Sequence, residues 1–347
     1  MKLVINPNRA LVCIEVIMLS YRRTCFVAAA LLSTISAQSV VAQSAPLWVQ
    51  NNSPLAQLVA LPSQRSAQLT ESWQWELHSA IASHWVIQSN QQAAVRFDGE
   101  TARVTAALDW GFAPRWSARF SVPWINHQGG FLDPLINDWH ALFGMSDAGR
   151  PQFADDQLNF RYTTNSNSQS LTRANSGLGD VRTELNYQLA ETQDDAWSLS
   201  MGYKWATGDE HAWRGSGAGD AYTTLRYSGR HLADLPLTWH GQLGYTYAGE
   251  STLLGADQRR HLWHAGMTLD WRLAQSWSLI AQIDGHAGVI RSPLTVLDKP
   301  AMVLSLGARF TITPALTLDV SFSEDIRVES APDITFQATL RWIPSAD

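Results

Sequence analysis

Trp197-Ser198-Leu199-Ser200-Met201-Gly202-Tyr203-Lys204-Trp205 alternates without a break. Trp197, Leu199, Met201, Tyr203 and Trp205 carry apolar or aromatic side chains, whereas Ser198, Ser200, Gly202 and Lys204 are small or polar. Period 2 over this length specifies a strand with one oily and one wet face. Similar segments of roughly ten residues recur from about Trp73 to Trp342, with Trp and Tyr gathered at their ends. A soluble sandwich would bury Val, Ile and Leu on that face. Rings bracketing it instead match the aromatic girdles of a transmembrane β-barrel, where ring bodies lie in lipid and polar tips at the headgroups. The class is all-β, an antiparallel transmembrane barrel with long extracellular loops.

The N-terminus agrees. Arg22 and Arg23 precede an apolar stretch from Phe26 to Ile35, and Val40-Val41-Ala42 offers a small-residue cleavage site before Gln43. This reads as a secretory signal peptide over residues 1–42, with Met18 as an alternative start that gives a signal of ordinary length. No lipobox precedes Cys25. Both cysteines, Cys13 and Cys25, fall in the part removed, so the mature barrel is expected to have neither disulfides nor thiolate metal sites. Loss of that segment removes Lys2, Arg9, Arg22, Arg23 and Glu15, which takes the net charge from -6 to -9. An acidic balance argues against nucleic acid as a partner. Outer-membrane lipids, lipopolysaccharide, the barrel-insertion machinery and a small solute are the expected partners, and no cofactor is called for.

Residues 43–70 do not alternate and read as a periplasmic N-terminal segment. Five short turns, at Phe112 to Arg115, Ala190 to Asp195, Leu232 to Pro236, Leu273 to Ser276 and Thr313 to Ala315, mark the periplasmic side. They imply strands near 71–87, 93–111, 116–124, 179–190, 196–206, 218–229, 237–248, 261–273, 277–289, 301–312, 316–324 and 332–342. That is about twelve, within a barrel spanning 71–342. Ten and fourteen stay open, because Leu158 to Tyr162 alternates weakly and fits a hairpin above the membrane. Residues 343–347 extend past the terminal aromatic as a tail.

If apolar residues face lipid, their neighbours face the lumen: Glu76, His78, Arg103, Asp109, Arg119, Arg182, Glu184, Lys204, Arg226, His240, His264, Asp270, Arg272, Asp284, His286, Arg309, Asp319 and Arg341. Charges of both signs there are either a salt-bridge network filling a narrow barrel or the lining of a solute path. Twelve strands lie between the filled eight-stranded and the open sixteen-stranded cases. The segment 125–178 reads as a long extracellular loop or plug. In it His127, Phe131, Asp133, Leu135, Trp139 and Leu142 are gate candidates, the four apolar ones sharing one face of a short amphipathic helix. His127, Asp133, Asp138 and His140 match no metal-ligand spacing, and no metal is expected.

Glycine-rich acidic strings occur at Gly177-Leu178-Gly179-Asp180, Thr207-Gly208-Asp209 and Gly215-Ser216-Gly217-Ala218-Gly219-Asp220. The last opens a strand rather than a helix and has no Walker lysine, so rim bends explain these strings better than a phosphate loop, with calcium binding by the aspartates as the other reading. An outer-membrane lipid hydrolase would need an outward His and Ser. His261 is the main outward polar exception, and no outward Ser adjoins it.

These strings, with Asp98-Gly99-Glu100-Thr101, Pro123-Trp124, His127, Gly129-Gly130-Phe131-Leu132-Asp133, Glu324-Asp325-Ile326 and Ala331-Pro332-Asp333-Ile334-Thr335-Phe336, resemble the Gram-negative family known as domain of unknown function 3187. The resemblance runs from about Pro54 to Trp342. One departure is Ala206 where a Pro would precede Thr207-Gly208-Asp209. The resemblance implies the barrel and transfers no catalytic residue. The reading is a porin-like or uptake channel for a small or partly hydrophobic solute, gated by the 125–177 loop; a plugged barrel with a structural role, or a lipid hydrolase, are the alternatives.

Overall fold

The computed structural model describes residues 44–143, 150–165, 167–230, 235–326 and 331–344. The segment 1–42 expected to be a signal peptide, with Met18 and both cysteines, lies outside them. In chain order the elements are β1 (Trp73–Ser89), β2 (Ala93–Ala113), β3 (Trp116–Gln128), α1 (Asp133–Phe143), β4 (Asn159–Thr164), β5 (Ser168–Leu171), β6 (Asn175–Leu178), β7 (Arg182–Glu191), β8 (Asp195–Lys204), β9 (Asp220–Gly229), β10 (Leu237–Tyr247), β11 (His261–Ala274), β12 (Trp277–His286), α2 (Thr295–Asp298), β13 (Ala301–Thr313), β14 (Leu316–Asp325) and β15 (Ile334–Trp342).

All pairings are antiparallel, and β1 joins β15, from Trp75 opposite Trp342 to Ser83 opposite Ile334, so the sheet closes. Twelve strands form the barrel, and β4, β5 and β6 are accessory. Closure removes the edges whose unpaired amides lipid could not satisfy. The β4–β5 hairpin extends the sheet from β2 by pairing Asp98 with Asn159, and β6 extends it from β3 by pairing Trp124 with Leu178. The weakly alternating stretch around Leu158 to Tyr162 is therefore a hairpin outside the barrel.

The outer face carries the predicted apolar band. Leu77, Val104, Phe120, Met201, Leu243, Met267, Leu306 and Val320 are exposed on it. Beside the short turns lie Trp73, Trp75, Trp110, Trp116, Trp197, Trp271, Trp277 and Trp342, with Trp73 and Trp110 stacked at 5.2 Å. Trp124, Tyr203, Trp205, Tyr245, Tyr247 and Trp263 ring the opposite end. Two exposed aromatic girdles around a closed apolar wall are the surface of an outer-membrane barrel.

Three expectations are corrected. Residues 44–70 do not hang in the periplasm: Ser44 and Leu69 bond to wall residues near the short turns, Ala60 to wall residues at the far end, and Leu47, Leu58, Val59 and Ala60 are buried. The segment rises through the bore, bends near a short 3-10 turn at Ala56–Leu58 and descends to β1. With Arg65 its lone charge and so many apolar residues, it is too oily to lie in water. Second, the loop begins at Gly129 rather than Ile125, because β3 runs on to Gln128 to pair with β2 and β6. Third, β7 starts at Arg182 rather than 179: Gly179 donates to Pro123 O at 2.9 Å and Asp180 turns to Lys204, which interrupts the ladder.

Leu243 lies mid-strand on the lipid face, 62% exposed to the surroundings. Leu243→Arg is expected to cost about 2–4 kcal/mol of barrel stability, measured by reversible urea unfolding from vesicles, whereas the same change at the exposed loop residue Thr252 should cost far less.

Candidate functional site

An alternating belt of charge circles the bore near its periplasmic side. Arg226 of β9 meets Glu184 of β7 at 3.1 Å, Glu184 meets Arg65 of the inner segment at 2.8 Å, and Arg65 meets Asp109 of β2. Asp109 pairs with Arg119 of β3, Arg119 with Glu76 of β1 at 2.5 Å, and Glu76 with Arg341 of β15 at 2.5 Å. Arg341 reaches Asp319 of β14 at 3.6 Å, Asp319 binds Arg309 of β13 at 2.7 Å, and Arg309 binds Asp270 of β11 at 2.9 Å. Ser44 Oγ donates to Asp270 Oδ2 at 2.7 Å and meets His240 Nε2, and His240 Nδ1 meets Ser228 beside Arg226, which completes the circuit. Every charge has opposite charges for neighbours, the condition under which buried ions are tolerated.

The inner segment is held by wall side chains rather than by a ladder. Gln282 clamps Leu47 through both its amide and its carbonyl, at 2.9 and 3.2 Å. Asn51 donates to His286, Asp220 accepts from Ala60 N at 2.8 Å, and Thr246 donates to Ala60 O at 2.7 Å. On the way down Gln64 binds Asp284, while Ser228 and Gln188 accept from the amides of Ala67 and Leu69. Trp48 stacks on His78 at 4.9 Å under the Arg119 guanidinium. The wall is notched for this passage: a Cβ on Gly266 would meet Gln64 at 2.3 Å, and one on Gly307 would meet Leu47 at 3.1 Å.

The two mouths differ. Beneath the extracellular loops an apolar core joins Leu55, Leu58 and Val59 of the bend to Phe97, Phe160, Tyr162, Trp213, Leu254, Ile290 and Leu294. It forms a lid. Tyr162 donates to Asp257 at 3.4 Å, and burial pushes its phenol up to about 12. The periplasmic mouth opens into a vestibule of about 1030 Å³ lined by Ser44, Leu69, Glu191, Arg230, Asp270 and Arg272 among others.

A family model described as a protein of unknown function, DUF3187, matches residues 23–342. The chain belongs to this family. No curated protein matches it in sequence. In shape this DUF3187 chain is similar to the COG4313 outer membrane channel from Pseudomonas putida F1, with a TM-score of 0.52 and 12% identity over 82% of this chain and 96% of that one. It also aligns with the NanC porin (TM-score 0.45, 8% identity, 79% and 100% covered) and with a Pseudomonas aeruginosa FadL homologue (0.36, 11%, 78% and 89%). Of these three the first shares the fold.

Several DUF3187 strings meet at one buried point. Lys204, fully buried, donates to Asp180 Oδ2 at 2.7 Å, Ser216 Oγ at 2.5 Å and Ala218 O at 3.0 Å, and lies 3.4 Å from Asp220. Its ammonium stands where the calcium reading put a cation. Asp220 also accepts from Ala60 and Gly249, so one carboxylate ties wall, inner segment and lid together.

The remaining candidates fall as follows. Arg103, Asp109, Arg119, Glu184, Lys204, Arg226, Asp270, Arg309 and Asp319 are buried in the bore, Arg182 and Asp284 are half-buried there, and Arg272 lines the vestibule. His127 belongs to β3 rather than to the loop, held by Thr101 and the Trp213 carbonyl. Glu100 accepts from the amides of Phe131 and Leu132 and sets the rotation of α1, so Leu132 and Ile136 turn inward while Phe131 and Leu135 are exposed, one residue round from the expected packed face. Asp133 binds Arg150, which reaches Asp333. The side chains of Trp139 and Leu142 lie outside the described residues. His261 meets the phenol of Tyr245 and the Tyr247 ring rather than a serine.

Sequence reasoning missed Trp48, Asn51, Asn52, Gln64 and Arg65. The one signal was composition: a tail with Arg65 as its lone charge and Leu47-Trp48-Val49 and Leu58-Val59-Ala60-Leu61 as apolar runs.

Lys204→Met would leave Asp180 and Asp220 without their shared cation. It is expected to cost about 3–5 kcal/mol in chemical unfolding, with partial recovery when Asp220→Asn is added.

Proposed function

We propose that the protein is a passive outer-membrane channel for a small, partly apolar solute, closed at rest by its own N-terminal segment. The observation that carries this is the mode of attachment: residues 44–70 fill the bore yet, among the described residues, make no backbone ladder with the wall; side-chain hydrogen bonds, the Arg65 ion pairs, the Trp48–His78 stack and the apolar packing of the bend hold them. A β-strand is not withdrawn from a sheet without breaking a row of amide bonds. A segment held by side chains is released contact by contact. The apolar lid above a charged bore supports a solute with apolar character, and the vestibule supports exit to the periplasm.

A permanently filled structural barrel is the second reading, favoured by the way Arg65 completes the charge belt. In either case the chain is exported by the Sec route, inserted by the barrel-assembly machinery and embedded among outer-membrane lipids and lipopolysaccharide.

Single-channel recording in planar bilayers separates the two. Full-length protein is expected to show rare openings, Arg65→Gln more frequent ones, and a variant lacking residues 44–70 steady current. Silence from all three, with heat-modifiable migration confirming folded barrels, would sink the channel reading.

A further inference from the structure

A row of three hydrogen bonds runs beneath the apolar lid and ends on an unused nitrogen. The Trp213 carbonyl can only accept, so the His127 Nε2 that meets it at 3.1 Å carries the proton. His84 and His127 are buried, both edge-on to Phe160, and neutral in that apolar setting. His127 Nδ1 is therefore an acceptor and takes the Thr101 hydroxyl proton at 3.0 Å. Thr101 Oγ1, its own proton engaged, accepts from His84 Nε2 at 2.9 Å. This relay fixes the tautomer of His84. Its Nδ1 keeps a bare lone pair, buried and without a hydrogen-bond partner.

His84, 3% exposed, lines a cavity of about 30 Å³ where inner segment, wall and lid meet. Leu55 and Ala56 of the bend, Val86 and Phe97 of the wall, and Ile290 and Val296 of the lid make its surface mostly apolar. His286 lines it too, but its Nδ1 donates to the Ala287 carbonyl at 2.8 Å and its Nε2 accepts from Asn51 at 2.9 Å. Among the described residues, the buried side-chain atom of this lining left without a partner is His84 Nδ1. One water needs about 10–15 Å³ of such space, so a hydroxyl with one or two carbons fits, and the apolar surface favours the carbons over a second water. An anion has no proton to give. A cation would lose its hydration in a cavity already lined by Lys299. A neutral O–H group is what completes the relay.

We propose that this cavity is a docking site for a neutral hydroxyl group, and that the solute is an apolar molecule bearing an alcohol that donates to His84 Nδ1. The proposal rests on the channel reading for its meaning, but binding at His84 is measured without conduction. An occupant here touches inner segment, wall and lid at once, so its docking bears directly on the contacts that hold the bend in place.

The test is nitrogen NMR of the full-length, detergent-folded protein carrying isotope-labelled histidine, titrated with ethanol or with acetonitrile. The two probes match in non-hydrogen atoms, but only ethanol donates a hydrogen bond; molecules of this size bind no tighter than about the millimolar range. The His84 Nδ1 resonance, assigned by its loss in His84→Phe, is expected at the position of an unprotonated ring nitrogen and should move upfield, with saturation, in ethanol alone. Ala331→Val, which narrows the cavity and keeps the ring, should weaken ethanol binding about tenfold or more and leave the ligand-free resonance in place. An equal response to acetonitrile, a resonance already shifted in buffer and unmoved by ethanol, or a protonated Nδ1 would overturn the proposal. Ethanol binding without conductance would remove the channel reading and leave the site; conductance without ethanol binding would do the reverse.

Discussion

The structure depends on the alternating charge belt. Ten ionised side chains, nine from the wall and Arg65 from the inner segment, lie where bulk water is excluded and unpaired charge is costly. Each strand contributes one or none, and the signs alternate along the path of contacts, Arg119 of β3 reaching past Asp109 on β2 to Glu76 on β1. Strand pairing and charge pairing therefore specify each other: a slip of one residue would turn Asp109 or Arg119 toward lipid and break the belt on both sides. Arg65 extends that rule to the inner segment, since only one height in the bore places a guanidinium between Glu184 and Asp109.

The filled bore follows from size. Eight strands enclose a space that wall side chains can fill, and sixteen enclose a channel. Twelve leave room that neither case covers, and this chain fills it with its own backbone. That choice raises a second constraint, because an irregular backbone threaded through a barrel carries amides and carbonyls that need partners. The inward face supplies them one at a time from Gln188, Asp220, Ser228, Thr246 and Gln282. Those residues look like ordinary polar lumen positions until the segment is in place.

The wall was legible because period 2 is a local property. Each strand displays its two environments in its own ten residues, and the short turns are local too, so a barrel of about twelve strands could be read without any tertiary knowledge, with ten and fourteen left open until the pairing of β1 with β15 was seen. The inward positions named from that alternation are buried or half-buried in the structure. What fills the bore was not legible. Residues 44–70 have no period, and nothing in the string Ser63-Gln64-Arg65 announces that its partners are Asp109, Glu184, Thr268 and Asp284, dozens to hundreds of residues away. The helix face of α1 was misread for a related reason: its rotation is set by Glu100, a residue of β2, and no amphipathic wheel contains that contact. At Asp180 and Asp220 the strings read first as rim bends, with calcium as the other reading; the lysine that binds both carboxylates comes from the end of β8 and is aligned with them only by strand register.

Comparison of the two levels of the bore carries the last step. At the belt, neutrality is complete and nothing is left for a ligand to do. Further from the periplasm Lys204 satisfies Asp180 and Asp220. Other charges of the bore are served by polar neighbours instead of opposite charges: Asp284 accepts from Gln64 and Gln282, and Arg103 donates to Asn52. Ion pairing is therefore concentrated at the belt, where a guanidinium of the inner segment joins the wall, and above it neutral amide side chains take over the same task.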